Sequence, residues 1–239
     1  MKKTALIFLL TLIYAGAYAQ ALDEFTAKAD NTGKVLAVKQ AELKRIKVRY
    51  EYTAKKIDEL KAEKEKGGIN GALSSMKLSY YLQSGNKTGY RQYILNSEIN
   101  SLRDERFTYI MIIIDEYTKQ LKECFKTKCG RAKELFSERE KWMGALDEYR
   151  DILQIDFDLR EMIGSLKTEA KDDLKKYLEG KAVQADERLY LLKEEKNILK
   201  DAAAAGINAD GKTGAKNSAE ITELEKMRKK IEVMLEGMK

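Results

Sequence analysis

Residues 36–60 read LAVKQAELKRIKVRYEYTAKKIDEL. Leu36, Leu43, Tyr50 and Ile57 recur every seven residues, and Ile46, Thr53 and Leu60 fall three later in each repeat. Lys39 is the one charged member of the series. Seven residues make almost two helical turns, so this alternation draws one stripe along a helix, the stripe that a helix buries against another. The spacing predicts a helix from Thr32 to Lys66 with an a/d seam. Gly67-Gly68-Ile69-Asn70-Gly71 predicts its end, because glycine readily takes the left-handed backbone that follows a helix.

Beyond these glycines the heptad fades. Ala72 to Gln83 reads as a short helix, and Ser84-Gly85-Asn86-Lys87-Thr88-Gly89 has the composition of a turn. Tyr80, Tyr81, Tyr90 and Tyr93 gather around it. Residues 67–93 therefore read as a tip, with the four tyrosines as candidates for partner contact, since tyrosine offers rigid apolar area with a polar end. Asn86-Lys87-Thr88 is a glycosylation sequon in the same stretch, meaningful in a eukaryotic source.

Periodicity returns from Tyr90 to Lys128 through Leu95, Ile99, Leu102, Ile110, Ile113, Tyr117, Leu121 and Cys124, with Arg106 standing where an apolar residue belongs. Tyr109-Ile110-Met111-Ile112-Ile113-Ile114 is apolar on every face, which predicts at least three helices packed there; a buried strand is the competing reading of the hexamer. Gly130 breaks the pattern. It resumes at Arg131 and runs to Glu179 through Leu135, Trp142, Leu146, Tyr149, Leu153, Ile163, Leu166, Leu174 and Leu178. Gly180 either ends this helix or is passed through, since Ala182, Ala185, Leu189, Leu192 and Leu199 nearly keep the phase to Ala205. Residues 206–217 read as a loop closed by an Asn217 cap with Glu220 three later. Ile221, Leu224, Met227, Ile231, Met234 and Leu235 stripe the last helix. Asp115 with Lys119, Asp172 with Lys176 and Glu225 with Lys229 are acid-first pairs four apart, worth about 0.3 kcal/mol each.

Two absences reinforce this reading. The 239 residues contain no proline, the residue that breaks helix interiors, and no histidine, the commonest general base and a frequent zinc ligand. Lys and Arg number 45 against 39 Asp and Glu, for a net charge of +6. Acids interleave with the bases, as Glu63 and Glu65 do among Lys61, Lys64 and Lys66, which describes a solvated helical surface and argues against a nucleic-acid partner.

Three motifs invite chemistry. Gly206-Ile207-Asn208-Ala209-Asp210-Gly211-Lys212-Thr213 fits the phosphate-binding pattern G-x-x-x-x-G-K-[ST]. That loop works only after a buried strand, and Lys200-Asp201-Ala202-Ala203-Ala204-Ala205 is helix-forming; the apolar-acid segment Ile110 to Glu116 also stands on the wrong side of it in chain order. Asn208, Asp210 and Gly211 match three positions of a calcium loop, but Gly206 and Asn217 occupy the positions where carboxylates are needed. Cys124 and Cys129 are the only cysteines. Five apart in an intact helix they sit on different faces, so a disulfide requires the helix to open into a turn after Lys122; free or intermolecular thiols are the alternative. No pair of carboxylates stands out as an acid/base dyad, and no catalytic residue, cofactor or metal is expected.

The first nineteen residues carry their own message. Lys2-Lys3, an apolar run from Ala5 to Ala17 and the Ala17-Tyr18-Ala19 junction make a secretory signal peptide, leaving residues 20–239 as one elongated helical domain with no integral membrane span. The short basic start leans bacterial. The expectation is an all-α, elongated antiparallel helical bundle with coiled-coil seams, exported to the periplasm or secreted. Its expected role is non-enzymatic: a structural, adaptor or docking element of the cell envelope or exterior, with protein partners and self-association through the heptad seams. A periplasmic holdase-type chaperone and an accessory protein of a secretion or conjugation system are the alternatives.

Overall fold

The computed structural model describes the backbone of residues 2–149, 168–207 and 212–238, and the side chains of 21–149, 171–207 and 217–238. Among the described residues the protein is all-α, without strands. Five helices are described, in order: α1 (Lys2–Glu65), α2 (Gly68–Thr127), α3 (Ala132–Asp147), α4 (Thr168–Ala204) and α5 (Lys212–Glu236). The chain divides into two compact units, one comprising Ala29–Arg106 and the other Met1–Lys28 with Phe107–Lys239. Among the described residues no helix is long and apolar enough to cross a membrane.

The smaller unit is a two-helix hairpin. Its reversal uses Gly67 and Gly68 at φ +73° and +67°, backbone that side-chain-bearing residues rarely adopt, so the glycine run ends α1 as expected. Cross-helix contacts then step in opposite directions: Ser74 donates to Glu63 at 2.8 Å, Arg91 to Glu42 at 2.8 Å and Lys39 to Glu98 at 2.8 Å. On α1 the heptad positions Leu36, Thr53 and Leu60 are buried, while Tyr50 lies at the edge with its ring beside Gly89.

The expected turn at Ser84–Gly89 does not exist. Helix α2 is continuous through it, and Gly85 is buried against Ile57 and Thr53. The heptad does not fade either; it changes residue type. Gly71, Ser74, Leu78, Gly85, Thr88, Leu95 and Ile99 are all buried at the 3-4 spacing. The hydroxyls of Thr53 and Thr88 donate to the carbonyls of Arg49 and Ser84, both at 2.8 Å, which leaves their methyl groups for the seam. The sequon accordingly sits in a helix, with Thr88 buried.

In the larger unit the Tyr109–Ile114 hexamer is helical, not a strand, with Ile110, Met111, Ile113 and Ile114 buried. Leu121 and Cys124 of α2, Leu135 and Phe136 of α3 and Ile198 and Ala202 of α4 form one core. Leu178 and Ala182 of α4 meet Ile231 and Met234 of α5 in another. Helix α3 stops at Asp147, earlier than its periodicity suggests, and Leu153, Ile163 and Leu166 lie outside the described residues. Gly180 is interior to α4.

The end of α4 explains the glycine of the phosphate-loop pattern. Gly206 has φ +74°, its N–H reaches Ala203 O at 3.0 Å and the next N–H, of Ile207, reaches Ala202 O at 2.9 Å. This is a Schellman stop, and Ile207 folds back onto the Leu121 core as such stops favour. Residues 208–211, in the middle of both loop patterns, lie outside the described residues, and α5 starts at Lys212, so Lys212-Thr213 are helical and Asn217 is inside a helix and not its cap.

Gly85→Ala is expected to stabilise the hairpin. A methyl group there stands 3.4 Å from Ile57 Cδ1 and 3.5 Å from Thr53 Cγ2, ordinary contact distances, and alanine in a helix interior gains up to about 1 kcal/mol over glycine. Gly206→Ala is expected to lower stability by about 1 kcal/mol through its left-handed backbone. Urea unfolding of the two variants checks both signs.

Candidate functional site

Cys124 and Cys129 are joined by a disulfide. The geometry that allows it differs from a helix opening after Lys122. Helix α2 runs on to Thr127, then Lys128 turns left-handed at φ +54° and Cys129 N–H reaches back to Cys124 O at 3.0 Å. The reversal falls on a lysine and not on Gly130. A non-glycine residue there costs about 1–2 kcal/mol, which the covalent closure of the turn helps to offset. Cys124 is buried in the α2–α3–α4 core, so the staple fixes the corner to that core.

The four tyrosines are not gathered at a turn. Tyr80, Tyr90 and Tyr93 are exposed along a continuous helix, with about 20 Å of rise between the first and last. Tyr81 is half-buried at a heptad position, and Tyr80 meets it edge-on at 5.5 Å.

The most concentrated chemistry lies elsewhere, in charges enclosed by helices. Arg139 of α3 is fully buried. Its Nε donates to Thr118 Oγ1 of α2 at 2.9 Å, and its Nη1 donates to Glu140 at 2.9 Å and pairs with Glu195 of α4. The Thr118 hydroxyl in turn donates to Ile114 O at 2.7 Å. One guanidinium thus joins three helices. A second arginine does the same one layer on: Arg188 of α4 donates from Nε to Glu220 of α5 at 2.8 Å and lies 3.5 Å from Asp147 of α3. Lys122 of α2 pairs with Glu194 of α4. Both arginines occupy the apolar stripe of their helices. Arg139 interrupts the series Leu135, Trp142, Leu146, and Glu195 the series Leu192, Leu199. A charge in that register was the signal that could have revealed them.

Two carboxylates share one arginine here, and the electrostatics show it. Burial, then the nearby charge of Glu195, push the Glu140 carboxyl up to about 7, with Arg139 acting in the opposite direction. A carboxyl titrating near neutrality suits proton transfer in general, but its neighbours are groups that hold helices together. The groove beside the disulfide, lined by Phe125, Lys128, Cys129, Lys133, Asp201 and Ile207 among others, does not include Arg139, Glu140 or Glu195. The arrangement can hold a proton and fix helix register.

No protein-family model, no curated protein and no solved structure matches this chain.

The raised Glu140 value gives a pH dependence. In the unfolded chain this carboxyl ionises near 4.5, in the folded one near 7. Below that window both states hold the proton, and above it neither does. Within it only the folded state does, so this group's contribution to stability falls as pH rises from about 4.5 to 7. Glu140→Gln is expected to keep the acceptor for Arg139, flatten that slope and raise the melting temperature at pH 8 relative to wild type, with little change at pH 4.5. Thermal unfolding across that range checks it.

Proposed function

We propose that the chain is an exported, non-enzymatic helical protein that serves as a structural, adaptor or docking element in the cell envelope or the extracellular space. The distribution of charge carries this reading. The hairpin, Ala29–Arg106, holds sixteen Lys and Arg against ten Asp and Glu, a net charge of +6, whereas the rest of the exported chain, without Lys2 and Lys3 of the leader, holds 27 Lys and Arg against 29 Asp and Glu. The larger unit uses its buried charges to join its own helices, while the hairpin leaves charge and apolar side chains facing solvent. The leader pattern of residues 1–19 and a disulfide-stapled corner support an oxidising destination.

Fractionation tests the reading. Full-length chain is expected in the envelope or medium, starting at Gln20 and unreactive to thiol reagents, whereas a variant lacking residues 2–19 is expected in the cytosol with two reactive thiols. A product that keeps its leader and stays inside overturns the proposal, as does robust turnover of a small substrate. A chaperone reading is favoured by one observation, the exposed Val38, Val48, Tyr52, Met76 and Tyr80 of the hairpin. Suppression of aggregation of an unfolded outer-membrane protein at near-stoichiometric amounts decides for it.

A further inference from the structure

The hairpin has two unlike sides. On α1 the seam uses positions 36, 39, 43, 46, 50, 53, 57 and 60, and on α2 positions 71, 74, 78, 81, 85, 88, 92, 95 and 99. Helical geometry then puts 35, 42, 49 and 56 of α1 and 77, 84, 91 and 98 of α2 along one edge of the seam, with 38, 45 and 52 and with 73, 80 and 87 just outside them. The Glu42–Arg91 pair crosses this edge, and Lys56, Glu59, Met76, Lys77 and Tyr80 line one groove on it. This side presents Val38 (67% exposed) and Tyr52 (56%) from α1, and Leu73 (51%) and Tyr80 (67%) from α2. The opposite edge is mainly polar, with Gln40, Lys47, Ser79, Asn86 and Asn96, and its exposed apolar residues, Leu82 (42%) and Tyr93 (70%), both come from α2.

The charges on the apolar side are also unbalanced. Its acids are engaged: Glu42 with Arg91, Glu98 with Lys39, Glu59 with Lys56, and Glu63 with the Ser74 hydroxyl. Arg45, Arg49 and Lys87 are exposed and, among the described residues, have no acidic partner. They sit midway along the hairpin, between the apolar pair Val35 and Val38 at one end and Tyr52, Leu73 and Tyr80 at the other.

We infer that this side of the hairpin docks an acidic amphipathic helix of a partner protein, laid along the groove between α1 and α2 as a third helix. The inference rests on the docking role proposed above and names its surface. Apolar positions at heptad spacing along a two-helix groove match the stripe of one more helix. Unpaired cations in the middle call for Glu or Asp in the middle of that helix. The hairpin of a second copy is the poorer occupant of this side, since each hairpin carries +6 and like charges repel. A bilayer surface is the poorer fit, because a membrane-bound face has its apolar residues central and its cations at the rim, the reverse of this order.

The test uses the purified chain and two designed peptides of about four heptads, each with leucine at a and d, one flanked by glutamate and the other by lysine. Fluorescence anisotropy is expected to show binding of the acidic peptide only, weakening as salt rises. Arg45→Glu with Arg49→Glu is expected to weaken it at least about tenfold. Lys44→Glu with Lys47→Glu, the same charge change on the opposite side, is expected to leave it within about twofold. Val38→Ser with Tyr52→Ser weakens binding at constant charge, and circular dichroism verifies that these surface variants stay helical. Absence of binding, equal binding of both peptides, equal losses in the two charge-reversal variants, or binding to phosphatidylglycerol vesicles alone overturns the inference. Export is read separately by fractionation, so an exported chain indifferent to the acidic peptide sinks this inference and leaves the broader proposal standing.

Discussion

A helix with one neighbour buries one stripe, and in a chain whose residues are 35% charged that stripe must be defended position by position. The packing of the helices follows from that constraint. Where the stripe holds Leu, Ile or Phe, each fully buried side chain contributes about 1.5–3 kcal/mol. Where it holds glycine, serine or threonine, the gain is close approach, with hydroxyls turned back onto their own helix as in Thr53 and Thr88. Where it holds a charge, the neighbouring helices must supply the opposite charge at the same level, which fixes register. Arg139 with Glu195, and Arg188 with Glu220, are the third case.

Those ionic layers contribute to specificity more than to stability. Burying a guanidinium and a carboxylate costs solvation that their attraction only roughly repays, whereas removing one partner strands the other at a cost of about 3–5 kcal/mol. A slip of α4 by one turn against α3 would separate Glu195 from Arg139 and Arg188 from Asp147 together, whereas apolar contacts carry no such directional requirement. The apolar cores hold the helices in contact, and the arginines select which turn meets which.

The helical class, the hairpin glycines and most of the apolar core were legible in the sequence because their signals are local and periodic. Leu36, Leu60, Leu95, Leu121 and Ile231 fall on the expected stripe and are buried. What was not legible depended on a second helix. Ser84 to Gly89 has turn composition, yet the side chains of Ile57, Thr53 and Tyr50 cover its glycines, and packing outweighs a propensity cost of about 1 kcal/mol per glycine. The reversal at Lys128 was hidden because the glycine two residues later carried the local signal. Arg139 and Glu195 read as surface charges until each is set opposite the other. The grouping of the tyrosines assumed a turn at Ser84–Gly89 that the structure lacks.

The same constraint separates the two units by what they leave outside. The larger unit has more than two helices, so a charge on an inner face finds a partner on another helix, and beyond the leader its 27 bases and 29 acids nearly balance. A hairpin has one seam and no third helix. Its flanking positions must face solvent, and selection for solubility alone would fill them with polar and mixed charged residues, as Gln40, Lys47, Glu51 and Asn86 do on one side, where Leu82 and Tyr93 are the apolar exceptions. On the other side Val38, Tyr52, Leu73 and Tyr80 accompany cations without matching acids. Exposing these residues lowers neither the free energy of the hairpin nor that of its turn. Their arrangement is economical only when something acidic and apolar covers it, and a groove between two helices is shaped for one more.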